Sequence, residues 1–198
     1  GDSIVFTERR PGAETLKPWT AVKIEKRVYD QGKKFARPHY SINEQYSQVK
    51  RMWEFSSDAN IISTPAVAGN KVFVGNQNGV MTCFDFATGK KIWTFKTGGS
   101  IFSSPVIAKG LLLFGSGDNY IYALNSKTGK PAWKYKTGAA VLGSPLLSGD
   151  TVFIGGSDHS FLALNINSGK LILQFKGLDG PVVSTPLLYD GKLIFGAW

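Results

Sequence analysis

The sequence predicts an all-β fold, a β-propeller built of four-stranded antiparallel blades of about 40 residues each. Three observations carry that reading. First, Trp53, Trp93 and Trp133 are spaced by 40, with Leu173 in the fourth place. Pro65, Pro105, Pro145 and Pro186 keep the same step, as do Gly75, Gly115, Gly155 and Gly196, and the turn glycines Gly89, Gly129 and Gly169. The register slips by one residue only in the last copy, at Leu178-Asp179-Gly180. Second, each unit holds four short runs rich in β-branched and aromatic residues, separated by Gly, Asn, Asp and Ser. Third, in Tyr120-Ile121-Tyr122-Ala123-Leu124-Asn125 both alternating sets of side chains are largely apolar. Such a strand is buried on both faces, between other sheets.

Taken in order, the chain opens at Gly1-Asp2-Ser3-Ile4-Val5-Phe6, which matches Gly149-Asp150-Thr151-Val152-Phe153-Ile154 and reads as the second strand of a blade. Phe6 to Trp53 spans 47 residues, far more than the 20 from Phe73 to Trp93, so the segment between carries inserted material. Residues 1–50 are therefore expected to form a partial blade carrying a basic insertion. Strands are expected over residues 21–28 and 51–55. Residues 51–198 are the regular repeats, and the whole is one propeller segment. Within each unit Pro opens the inner strand, where its missing N–H does least harm. Small hydroxyls (Thr64, Ser104, Ser144, Thr185) let the blades converge on the axis. The second strand ends in Gly. Asn78-Gly79, Asp118-Asn119 and Asp158-His159 follow, residues that tolerate the positive φ of tight hairpins. A Thr-Gly-Lys or Ser-Gly-Lys turn leads to the outer strand with its Trp. The last copy stops after Gly196, which makes a second partial blade.

The text Tyr120-Ile121-Tyr122-Ala123-Leu124-Asn125, Thr128-Gly129-Lys130 and Trp133, with Ser103-Ser104-Pro105, resembles the PQQ-type propeller repeat of quinoprotein dehydrogenases and BamB-like proteins. The resemblance covers roughly residues 51–198. It implies that Trp53, Trp93 and Trp133 dock across the gap to the adjacent blade, with Gly89, Gly129 and Gly169 as the recurring turn positions. It also implies a ring of seven or eight blades, of which this chain is an incomplete part. A second copy or a missing C-terminal half is expected to complete the ring. The resemblance further implies an exported protein of the periplasm or cell envelope, of a family that includes an outer-membrane assembly factor.

Composition sets further bounds. The chain has 198 residues, 42% of them hydrophobic, enough for a globular domain. No apolar run approaches the ~18 residues of a membrane-spanning helix. Cys83 is the single cysteine, which excludes an intrachain disulfide; it falls where Ala123 and Ala163 lie, a small inward position. His39 and His159 have no metal-ligand spacing. Gly115-Ser116-Gly117 is a strand end and turn rather than a phosphate loop. Resemblance to a quinoprotein enzyme would demand adjacent cysteines and a calcium-binding carboxylate set. The chain has one cysteine, and Asp118, Asp158 and Asp190 sit at turns. No catalytic, cofactor-binding or metal residue is assigned, and no cofactor is expected.

The formal net charge of +9 favours anionic partners. Lys90, Lys130 and Lys170 follow the repeat and read as solvated rim charges. Lys23, Lys26, Arg27, Lys33, Lys34 and Arg37, interleaved with Trp19, Tyr29, Phe35 and Tyr40, form the candidate patch for an anionic partner. A protein or an anionic envelope polymer would suit it. The expected function is a non-catalytic binding or assembly scaffold of BamB-like type. The alternatives are a regulatory or substrate-presenting propeller of a larger enzyme, and a fragment of a quinoprotein dehydrogenase.

Overall fold

The structure, a computed structural model, describes residues 51–197. The expected strand at residues 21–28 and the basic insertion lie outside the described residues. Three complete antiparallel four-stranded sheets follow one another along the chain. The first is β1 (Ala66–Ala68), β2 (Lys71–Gly75), β3 (Val80–Asp85) and β4 (Lys91–Lys96). The second is β5 (Val106–Ala108), β6 (Leu111–Ser116), β7 (Tyr120–Asn125) and β8 (Pro131–Lys136). The third is β9 (Leu146–Ser148), β10 (Thr151–Gly155), β11 (Ser160–Asn165) and β12 (Leu171–Lys176). A two-stranded sheet, β13 (Leu187–Tyr189) with β14 (Lys192–Ile194), ends the described chain. No helix occurs among the described residues. These are propeller blades, and the last is partial. Residues 51–55, expected as a strand, are not in one.

Local chemistry explains the repetition. Pro65, Pro105, Pro145 and Pro186 stand immediately before the inner strands, outside the ladders they could not donate to. The first hairpin of the second blade turns on Lys109 (φ 52°) and Gly110 (φ 75°), both left-handed, as a two-residue type I′ turn demands. The next hairpin turns on Gly79, Asn119 and His159 in successive blades, with φ of 76°, 69° and 57°. Between the third and fourth strands every complete blade carries the same register shift, at Cys83/Phe84, Ala123/Leu124 and Ala163/Leu164. This bulge leaves one residue unpaired ahead of the Trp position, so that Cys83 faces Trp93, Ala123 faces Trp133 and Ala163 faces Leu173.

The core lies between the blades. One cluster joins Phe73, Met81 and Cys83 of the first blade to Leu112, Phe114 and Tyr122 of the second. The other joins Leu113, Ile121 and Ala123 of the second to Val152, Ile154 and Leu162 of the third. Leu112 and Leu113 are adjacent in β6, are both fully buried, and serve opposite seams. That is the double-sided burial expected of a sandwiched strand.

Candidate functional site

The side chains that repeat from blade to blade meet at the seams. Trp53 donates its indole N–H to the carbonyl of Phe86 (2.7 Å), Trp93 to Ser126 (3.3 Å) and Trp133 to Ile166 (2.8 Å). Each acceptor lies 33 residues on, in the turn before the next outer strand. The ring itself lies over that turn's glycine. A Cβ on Gly89 would stand 2.7 Å from Trp53 Cδ2, one on Gly129 2.6 Å from Trp93 Cδ2, and one on Gly169 2.6 Å from Trp133 Cδ2. These glycines also have φ of 66–71°, so both space and backbone call for Gly. The turn is held from within by its leading residue: Asp85 Oδ1 accepts from the Thr88 N–H and hydroxyl, both at 2.8 Å. Asn125 and Asn165 take the same role in the next two blades. Those bonds, first of all the one to the Thr88 hydroxyl, hold the Asp85 carboxyl below the usual carboxylate range.

A second clasp ties each interblade linker to the following blade. Asp118 Oδ2 accepts from the Gly98 N–H (2.7 Å) and from the Tyr122 hydroxyl (2.7 Å). Asp158 Oδ2 accepts from the Gly138 N–H (2.9 Å), and its Oδ1 from the Ser160 hydroxyl (2.6 Å). In the first blade the acid sits at the other end of the same contact: Asn78 and Asn76 donate to Asp58, which stands where Gly98 and Gly138 stand later. Burial, followed by the bond to Asp118, raises the Tyr122 pKa well above that of a free tyrosine. The buried Thr97 and Thr137 close the linkers, each hydroxyl donating to a carbonyl two residues on, Gly99 and Ala139, at 2.7 Å.

Near the axis, the Thr64 N–H donates to Ser104 Oγ and the Ser104 N–H to Ser144 Oγ, both at 2.8 Å. The small hydroxyls thus bond one blade to the next in addition to permitting close approach. The sequence alone marks Asp118 and Asp158 as turn residues and assigns no role to Thr97 and Thr137. Their signal is the same step of 40, shared by Thr97-Gly98 and Thr137-Gly138.

Cys83 is fully buried, and burial pushes its thiol pKa up to about 11. His159 is exposed at its hairpin tip, with Nδ1 3.2 Å from the Leu178 carbonyl oxygen. Among the described residues there is no group of three or more His, Cys, Asp or Glu side chains placed to hold a metal ion. Lys90, Lys130 and Lys170 are exposed. The patch residues Lys23, Lys26, Arg27, Lys33, Lys34 and Arg37 lie outside the described residues. Among the described residues no helix is long and apolar enough to cross a membrane.

Residues 46–187 match the family model described as outer membrane protein assembly factor BamB. The comparison with curated proteins gave no match. Among solved structures, BamB from Moraxella catarrhalis is 23% identical with a TM-score of 0.67, over 74% of this chain and 46% of that one. The chain thus spans less than half of that protein's length. The computationally designed Ika4 protein is 17% identical with a TM-score of 0.68, over 76% of this chain and 93% of that one. A europium-containing methanol dehydrogenase is 22% identical with a TM-score of 0.55, over 62% of this chain and 26% of that one. At these identities the likenesses speak to the fold alone.

Proposed function

The chain belongs to the PQQ-type propeller family of the outer membrane protein assembly factor BamB, and we propose that it acts as a non-catalytic binding or assembly scaffold of the cell envelope. One observation carries this reading. The polar and aromatic side chains that repeat through the blades are engaged in holding blade to blade: Trp53, Trp93 and Trp133 on the turns, Asp118 and Asp158 on the linkers. Repeating those groups along the chain keeps a rigid frame, and the surfaces of the frame are then what a partner meets. We take the Trp–Gly contacts as the blade-docking elements. The patch from Lys23 to Arg37 is our choice for an anionic partner. A second copy or further propeller sequence would complete the ring.

The proposed setting is the periplasm or the envelope, where a family of outer-membrane assembly factors works. The test is fractionation and co-isolation of the tagged chain from its native cells. The reading predicts recovery outside the cytoplasm together with outer-membrane protein assembly components. Recovery in the cytoplasm, or stoichiometric quinone binding in the presence of calcium, would overturn it.

A further inference from the structure

The outer strands carry a charge pattern that the scaffold reading does not use. β4, β8 and β12 read KIWTFK, PAWKYK and LILQFK and contain no acidic residue. Lysines stand at both ends of each: Lys90, Lys130 and Lys170 at the turn, and Lys96, Lys136 and Lys176 at the far end. All six are exposed. Among the described residues the ion pairs are Arg51–Glu54 and Lys109–Asp150, and neither involves this set. Lys96 does reach a neutral partner, the Asn78 carbonyl. Of the blade carboxylates, Asp85 is held by Thr88 and Asn70, and Asp118 and Asp158 by linker amides. A strand rises about 3.3 Å per residue, so the two rows lie about 20 Å apart on the outer wall. The step of 40 repeats them on each successive blade.

Three features select the partner. These strands present lysine and no arginine, point charges that answer to charge density rather than to planar groups. Trp93 and Trp133 are half-buried in the seams with their N–H groups bonded, so they offer no stacking platform of the kind that single-stranded nucleic acids use. The rows also recur on successive blades, which a flexible chain can follow from one blade to the next. We propose that this rim is a track for a flexible, linear, phosphate-rich polyanion, which contacts the lysines of one blade after another at separate phosphates along its length. Edge lysines also deter strand addition. That role alone predicts aggregation when they are neutralised and no salt-linked binding.

The experiment measures binding of labelled long-chain inorganic polyphosphate to the full chain as a function of salt. Log Kobs should fall linearly with log salt, and K96Q/K136Q/K176Q should reduce the slope by about 2, three contacts at about 0.7 each. K90Q/K130Q/K170Q provides the same reading should the first variant aggregate. Unchanged affinity and slope in a folded triple variant would overturn the proposal. So would binding lost only on charge reversal at Lys33, Lys34 and Arg37, or rim variants that lose phosphatidylglycerol vesicles while keeping polyphosphate.

Discussion

Replacing Gly129 by Ala tests the seam at its tightest point. The added Cβ would stand 2.6 Å from Trp93 Cδ2 and 2.7 Å from Cε3, about an ångström inside ordinary contact. Two costs follow. An L-residue in the left-handed region costs roughly 1–2 kcal/mol, and overpacking against a held ring costs about 1–3 kcal/mol. Gly129→Ala should therefore destabilise by about 2–5 kcal/mol. Gly110 is the control, since its φ of 75° is close to the 71° of Gly129 but nothing lies within 4 Å of the place its Cβ would take. Gly110→Ala should cost only the backbone part, about 1–2 kcal/mol. Adding Trp93→Ala to Gly129→Ala should remove the packing part, leaving a coupling of about 1–3 kcal/mol in the double-mutant cycle. Urea titrations followed by circular dichroism give the midpoints at constant slope. If Gly129→Ala and Gly110→Ala cost the same, or if the cycle shows no coupling, the tryptophan does not seat on the glycine.

Other expectations concern single groups. Asp118→Ala leaves the Tyr122 hydroxyl and the Gly98 N–H without their acceptor and should cost about 1–3 kcal/mol by denaturant titration, with Asp118→Asn milder. Cys83 should resist thiol reagents in the folded chain and react on unfolding, and Cys83→Ala should be nearly neutral because Ala123 and Ala163 occupy the same place. Asp85 has a lowered pKa when folded, so its contribution is present above the unfolded value near 3.8 and is lost as pH falls through the folded one. Protection of the Thr88 and Gly89 amides, taken relative to their intrinsic exchange rates, should accordingly fall in acid while the Asn125 and Asn165 turns do not follow, and Asp85→Asn should abolish the difference.

Much of the frame is legible in the sequence because it rests on short-range rules repeated many times. Pro before a strand, Gly or Asn at a positive-φ turn, and apolar residues on both faces each point to one local geometry. The spacing of Trp93 marks it as structural. Its partner cannot be read off, because Gly129 and Ser126 lie a turn away on another blade and only the packing brings them under the ring. Asp118 shows the same limit. A turn aspartate reads as solvated when seen alone, whereas its Oδ2 reaches back 20 residues to Gly98. The bulge at Cys83/Phe84 leaves no composition signal, since it involves neither Gly nor Pro. The lysine rows are visible as a repeat, but their placement on a single outer wall needs the strand order.

The scaffold reading stands or falls most directly on redox chemistry. The full chain, supplied with pyrroloquinoline quinone, calcium, an alcohol and an electron-accepting dye, should reduce the dye no faster than the mixture without protein. Calcium-dependent turnover in the range usual for enzymes, about 1–1,000 per second, would contradict it.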